Sequence, residues 1–395
     1  MRTIFICISV IVLAACGSQQ APDNYGGDAD FLQKHKPTVE LNAGDRHVVI
    51  VPSYQARVMT STAGGRTGQS YGWINYELIR SRKYEPHINA VGGEERFWLG
   101  PEGGQFGLFF RQGQPFDFAN WQTPAVLDTV SFDLVSKTSD AAVFAKTFAI
   151  QNYKGTTFDI KVQRRISLLE QTAVEHSIGT KLQDIKWVAY ETDNTITNTG
   201  NAGWDSTSGV VSIWLLSMFK SSPENTILIP YKKGADSLIN DAYFGKIPAG
   251  RFVKKDGIIF FKGDAKHRGK IGVAPGAVQP VSGSYDPLRK VLTIIRYDFQ
   301  GDSIYANSAW KIQSDPFRGD VANAYNDGPN ETGGQLGEFY ELESSSPALF
   351  LQPQQSFTHR QQIYHFQGSK EELDFIAKQV LGVSLEDRVL KAASE

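Results

Sequence analysis

Glu341 and Glu343 stand two residues apart in the run Phe339-Tyr-Glu-Leu-Glu343. Alternate side chains of an extended chain share a face, so this run sets two carboxylates side by side. Like charges held that close are costly unless they are wet, paired or put to use. The pair is therefore either a proton-transfer couple or two edge carboxylates tied to Arg or Lys. A second chemistry-bearing stretch is Gly92-Gly-Glu-Glu-Arg-Phe-Trp-Leu-Gly-Pro-Glu102. Its glycines permit close backbone approach. Glu95, Arg96 and Glu102 offer polar clamps, and Trp98 offers a flat ring for stacking. The plain alternative is a bulged strand with a salt bridge. Just upstream, in Pro86-His-Ile-Asn89, alternation sets His87 and Asn89 on one face. Arg57, in Gln55-Ala-Arg-Val58, is a further cation that could reach the same cleft.

Other chemistries find less support. His359 and His365 are six apart on one strand-like run, which puts them on one side but about 20 Å apart, too far to share a metal. His176 and His267 have no partner by sequence. No H-x-x-x-H or H-E-x-x-H element occurs, so a zinc site is not expected. The stretch 315–338 carries Asp320, Asp327 and Glu331, with a turn signal at Tyr325-Asn-Asp-Gly328. A loop that long could form a site. Its oxygens could take calcium, although their spacing is not that of an EF-hand. Neither a Gly-x-Gly-x-x-Gly nor a Gly-x-Ser-x-Gly element is found, which leaves nucleotide binding and serine hydrolysis unsupported. No organic cofactor is expected.

The elements that must position these residues are β-strands. The composition holds 24 Phe, 15 Tyr, 7 Trp and 37 Gly, which favours strands and turns over helices. Apolar residues recur at spacing two in 125–135, 142–150, 158–168 and 173–178, and the pattern continues in 187–198, 209–219, 257–262, 290–299 and 339–343. Strict alternation means one buried and one wet face per strand. Without intervening helices, it indicates antiparallel sheets packed face to face. One short helix is expected within 31–36. A second is well signalled at the C-terminus: Ser369 and Glu372 form a capping box, Leu373, Ile376, Ala377 and Val380 recur at helical spacing, and Gly382 follows as a cap. Residues 38–366 read as one domain, and 367–395 as a helical segment closing it.

The N-terminus supplies an address. Arg2 precedes an apolar run, Ile4 to Leu13, that ends in Leu13-Ala-Ala-Cys16. The run is about half a membrane span, so it reads as a targeting segment. Leu13-Ala-Ala-Cys16 resembles the lipobox of bacterial lipoproteins. That resemblance implies a signal peptide over 1–15, lipid on Cys16, and a tether from residue 16 to 37 holding the chain at a membrane. Gly17, not aspartate, follows Cys16, which favours the outer membrane of a Gram-negative envelope. The other cysteine, Cys7, lies inside the signal, so the mature chain has no free thiol for disulfides or nucleophilic chemistry. A net charge of −2 and a pI near 6.4 argue against nucleic acid as a partner.

Three ordered segments carry a family resemblance: Gly92–Glu102; Ile196-Thr-Asn-Thr-Gly200 with Trp204; and Phe339–Pro347 with Leu351-Gln-Pro353 and Thr358-His-Arg360. Together they resemble galactose-mutarotase-like proteins, in particular the lipoprotein branch of Bacteroidetes-type bacteria. The resemblance implies an all-β, antiparallel β-supersandwich with a sugar site on the concave face of one sheet. It further implies a carboxylate that takes the anomeric proton, which maps to Glu343 or its neighbour Glu341, and a histidine that protonates the ring oxygen. In this chain the segment expected to supply that histidine is Gly209–Phe219, which contains none; Trp214 falls near the place. An indole donates a hydrogen bond and stacks on a ring, but it does not protonate an ether oxygen. The expectation is thus a lipid-anchored carbohydrate-binding protein without mutarotase activity. The alternative is an aldose-epimerase-like enzyme using Glu343 or Glu341 as general base.

Overall fold

A computed structural model describes residues 24–301, 303–330, 333–386 and 390. The signal-like run, Cys16 and Glu331 lie outside them. Among the described residues no helix is long and apolar enough to cross a membrane.

The alternation read in the sequence builds antiparallel sheets. In the Thr157–Leu168 strand every second residue is buried over most of its length, and the Lys186–Asn198 strand behaves likewise. These two pair with each other, and Lys186–Asn198 pairs in turn with Ser356–Gln367, inside a ten-stranded sheet. A six-stranded sheet carries, in spatial order, Ile239–Asn240, Gly269–Val273, Ala322–Asn326, Phe339–Ser345, Ser212–Lys220 and Arg96–Gly100. A three-stranded sheet (Val39–Ala43, Arg46–Val51, Arg57–Thr62) completes the set.

The main core joins Phe144, Val162 and Ile363 of the large sheet to Phe97, Leu215 and Leu342 of the six-stranded one. Neighbours of those residues face the other way. Tyr364, next to Ile363, belongs to a second apolar cluster with Leu373, Ile376 and Ala377 of the Lys370–Leu381 helix. That helix therefore covers the outer face of the large sheet. Its Ser369–Glu372 capping box is formed, and Gly382 caps its end at φ +68°. The expected all-β sandwich with a C-terminal helix is what the chain adopts.

Several local expectations are corrected. Residues 171–178 form a helix, Gln171–Ile178, not a strand. Val174 and Ile178 are four apart and both enter the second apolar cluster, so the helical period wins over the two-residue one. In 125–135 only Asp133–Lys137 lies in a strand, an exposed sheet edge; Ala125–Asp128 is a helical turn that seats Leu127 in the core. Tyr325-Asn-Asp-Gly328 is not a free turn, because Ala322–Asn326 is an inner strand of the six-stranded sheet. The N-terminal helix begins earlier than expected and spans Tyr25–His35. Tyr25 and Asp28 within it are fully buried, so this part of the stretch read as tether is packed against the body.

Candidate functional site

Strand register decides which side chains meet. Glu343 lies opposite Leu216, and Leu216 opposite Arg96. Glu341 lies opposite Met218 on one side and Tyr325 on the other, with Tyr325 opposite Lys270. Ser345 faces Trp214, and Trp214 faces Trp98. Directly opposed residues share a sheet face. These rows therefore point to one side of the six-stranded sheet, while Phe97, Leu215 and Leu342 point into the core.

Over that face opens a cavity of about 970 Å³, walled by the strands and by the 237–244 and 306–311 segments. Arg96 donates from Nη2 to Glu341 Oε1 at 3.1 Å and stacks on the Trp98 ring at 3.9 Å. Lys270 Nζ and the Trp214 indole N–H both donate to Glu343 Oε2, at 2.9 and 2.8 Å. Lys270 also sits 4.8 Å from the Trp214 ring centroid. Trp121 Nε1 donates to Glu102 Oε1 at 2.8 Å. Tyr243 donates its hydroxyl to Asp320.

Burial and charge set the proton affinities. Burial pushes Glu341 up to about 7; Arg96 opposes the shift and Glu343 adds to it. Burial likewise raises Glu102 and Asp320. Burial pulls Lys270 down, but Glu343 and Glu102 outweigh it and hold its ammonium above the ordinary value. Glu343 is fully buried beneath the cavity, and its Oε1 has no hydrogen-bond partner among the described residues. The arrangement offers one carboxyl that gains or loses a proton near neutrality, a second held against an ammonium, a guanidinium, and stacked indoles.

Of the residues singled out in the sequence, Arg96, Trp98, Glu102, Trp214 and Glu341 line the cavity, with Glu343 directly behind it. Four others lie elsewhere. Glu95, the neighbour of Arg96, points the opposite way by strand alternation and is ion-paired to Arg164 in the core. Arg57 is buried and donates to the Gly92 carbonyl at 2.9 Å. Asn89 donates to Asp128 at 2.7 Å. His87 donates from Nδ1 to the Trp121 carbonyl at 2.6 Å, behind the cavity wall. His87 and Asn89 do not lie on a strand, since 82–90 is irregular. No histidine is among the described residues lining the cavity. His359 and His365 are buried, the latter against Glu94 at 3.2 Å. Asp320 and Asp327 each accept from a tyrosine, and among the described residues no group of three or more His, Cys, Asp or Glu is placed to hold a metal.

The sequence profile of the Family of unknown function (DUF6786) matches residues 23–391. The chain belongs to that family. No curated protein matches it significantly. Among solved structures it is similar to the Slr1438 protein of Synechocystis sp. PCC 6803, at 13% identity and a TM-score of 0.53, covering 84% of this chain and 96% of that one. It is also similar to a galactose mutarotase-like protein of Lactobacillus casei ATCC 334, at 10% identity and a TM-score of 0.49, covering 83% and 99%. At these identities the likeness is one of fold.

This DUF6786 member also builds its cavity from residues that sequence reading missed. Lys270 sits in Gly269–Val273, a short strand with no distinctive motif, and only the side-by-side pairing of three strands brings it to Glu343. Tyr243, Phe244, Arg268, Trp121 and Trp310 come from loops or strand ends. Trp121 and Trp310 had one available signal, the enrichment in aromatics, but most aromatics in a β-protein are core.

Proposed function

We propose that this DUF6786 chain is a carbohydrate-binding protein whose ligand lies in the cavity over the six-stranded sheet. The observation that carries the reading is the convergence of Arg96, Lys270, Glu341 and Glu102 with the Trp98, Trp214 and Trp121 rings around one open cavity. Indole faces suit the C–H faces of sugar rings, and paired carboxylate and cation groups suit their hydroxyls. The resemblance of the ordered sequence segments to galactose-mutarotase-like proteins points the same way. The lipobox-like Leu13-Ala-Ala-Cys16 supports a protein tethered by lipid to the bacterial envelope, with the outer membrane as its site.

Calorimetric titration of the mature chain against monosaccharides and oligosaccharides tests the binding reading. Heats that saturate and are lost in Trp214→Ala support it; no heat across a broad panel overturns it. Metabolic labelling with an alkyne fatty acid tests the anchor, with loss of label in Cys16→Ser as the expected result.

A second reading, sugar epimerisation, is favoured by one observation. Glu341 lines the cavity with its pKa pushed to about 7, where a carboxyl serves well in acid–base catalysis. Against it stands the absence of a histidine among the described lining residues. Polarimetry on freshly dissolved α-glucose and α-galactose separates the two. Accelerated mutarotation abolished by Glu341→Gln or Glu343→Gln would favour the enzyme; background rates would favour the binding protein.

A further inference from the structure

The cations of the cavity are not equally occupied. Arg96 is taken by Glu341 and Lys270 by Glu343, Arg318 lies 4.0 Å from Asp315, and Lys311, beside Trp310, is exposed to solvent. Arg268, at the start of the Gly269–Val273 strand, makes no ion pair and no side-chain hydrogen bond among the described residues. Its guanidinium instead lies over the ring of Phe244, 4.1 Å from the centroid. Both residues line the cavity, and Phe244 is 43% exposed there. Stacking orients a guanidinium while leaving its in-plane N–H donors free. Those donors match a carboxylate or sulfate in bidentate geometry. Asp327, the carboxylate that Arg268 influences, is already engaged by the Tyr325 hydroxyl at 2.6 Å and the Gly337 N–H at 2.8 Å. Burial raises Asp327, and the charge of Arg268 opposes that shift.

The extent of the cavity gives a second constraint. Arg268 precedes the Gly269–Val273 strand, which only the two-residue Ile239–Asn240 strand separates from one edge of the sheet. Trp98 and Glu102 lie at the Arg96–Gly100 edge, four strand steps away, roughly 19 Å. Beside Glu102, the rings of Phe118, Trp121 and Trp310 form a ladder, with neighbouring centroids 6.0 and 6.1 Å apart and planes within 20° of parallel. A volume of about 970 Å³ is near the top of the range of small-molecule sites, ~300–1,000 Å³. One sugar ring cannot reach from Arg268 to Glu102.

We propose that the ligand is an oligosaccharide bearing an anionic substituent, with the anion on Arg268 and Phe244 and a neutral ring against the Trp121–Trp310 ladder. This rests on the carbohydrate-binding reading and narrows it to a substrate class. A carboxylate (uronic acid) and a sulfate ester share the chemistry that Arg268 would recognise.

The test is calorimetry of the full mature chain with three matched trisaccharide probes: a neutral hexose trimer, its C6-oxidised uronate form, and its sulfated form, each in several linkages. The expected result is binding of at least one anionic form ten-fold or more tighter than its neutral parent, weakened by added salt. Arg268→Gln and Phe244→Ala should each erase that preference while leaving the melting temperature unchanged. The uronate and sulfate arms tell the two sources apart. Neutral trimers binding as well as both anionic forms, or Arg268→Gln leaving the preference intact, would overturn the anionic subsite and leave the carbohydrate reading standing. A monosaccharide binding as tightly as the trimers would overturn the extended ligand. Silence from every neutral and anionic probe would sink the carbohydrate reading itself, and this inference with it.

Discussion

Glu341 and His359 titrate abnormally for the same reason, burial, and their effects on stability have opposite signs. Glu341 has a folded pKa of about 7 against an ordinary 4.5. The folded state therefore holds its proton more tightly than the unfolded chain. The stabilisation this gives is complete below pH 4.5 and lost as pH rises through about 7. His359, buried with Nδ1 unpartnered among the described residues, is depressed from 6.5 to about 3. Its contribution is present above pH 6.5 and lost as pH falls toward 3. Urea unfolding measured from pH 4 to 8 for wild type, Glu341→Gln and His359→Gln checks both. The wild-type-minus-Glu341→Gln difference should fall with rising pH between 4.5 and 7, by on the order of 1–3 kcal/mol. The wild-type-minus-His359→Gln difference should rise with pH over the acid range. Flat differences would mean that these groups titrate normally. Glu343 is ion-paired, and Glu343→Gln leaves Lys270, only 13% exposed, without that anion. Removing one partner of a buried pair costs about 3–5 kcal/mol, and that loss should appear as a lower urea midpoint at pH 7.

At the scale of elements, the C-terminal helix and the glycine pair before the Arg96–Gly100 strand make separable demands. Ser369 accepts from the Glu372 N–H at 3.3 Å, and the Glu372 carboxylate accepts from the Ser369 N–H at 2.7 Å. Ser369→Ala should cost about 1 kcal/mol, read as a small shift in urea midpoint with ligand affinity unchanged. Gly93 has φ +113°, and an added Cβ would come within 2.6 Å of Arg57 Cδ and 3.0 Å of the Val58 carbonyl. Gly93→Ala should therefore cost about 1–3 kcal/mol, and it should disturb Arg96 three residues on. How much of this was legible follows from period. The capping box and the long strands were readable because one face of each is buried and the spacing is local. The Gln171–Ile178 helix was not, because Val174 and Ile178 fit a two-residue spacing as well as a four-residue one. Glu341 and Glu343 were legible as a pair because two adjacent carboxylates on one strand are unusual chemistry. Lys270 was invisible, since it lies 73 residues from Glu343 in sequence and meets it only through strand pairing. Glu95 was grouped with Arg96 by sequence proximity, yet alternation sends the two to opposite faces.

Across the whole molecule, the site's position depends on how the two large sheets are fastened. Arg164, on the Thr157–Leu168 strand of the ten-stranded sheet, reaches across the core to Glu95, whose next residue opens a strand of the six-stranded sheet. Arg164 also donates to Asn194 at 2.9 Å and to the Gln55 carbonyl at 3.1 Å, while Thr192 donates to Glu95 at 2.6 Å. Burial raises Glu95 and lowers Arg164, so each charge sits at a disadvantage that the other offsets. Such a pair contributes little net stability but fixes an arrangement, because breaking it strands a buried charge. Arg164→Met alone should therefore destabilise by about 3–5 kcal/mol. The double variant Arg164→Met/Glu95→Met should recover much of that loss, since no charge remains buried without a partner. A double-mutant cycle by urea unfolding gives the coupling directly. The second readout is ligand affinity. If the bridge serves to hold Arg96 and Trp98 over the cavity, the double variant should regain stability yet still bind more weakly than wild type. Full recovery of both would reduce the bridge to one packing solution among several, and additive losses would show that Arg164 and Glu95 act independently.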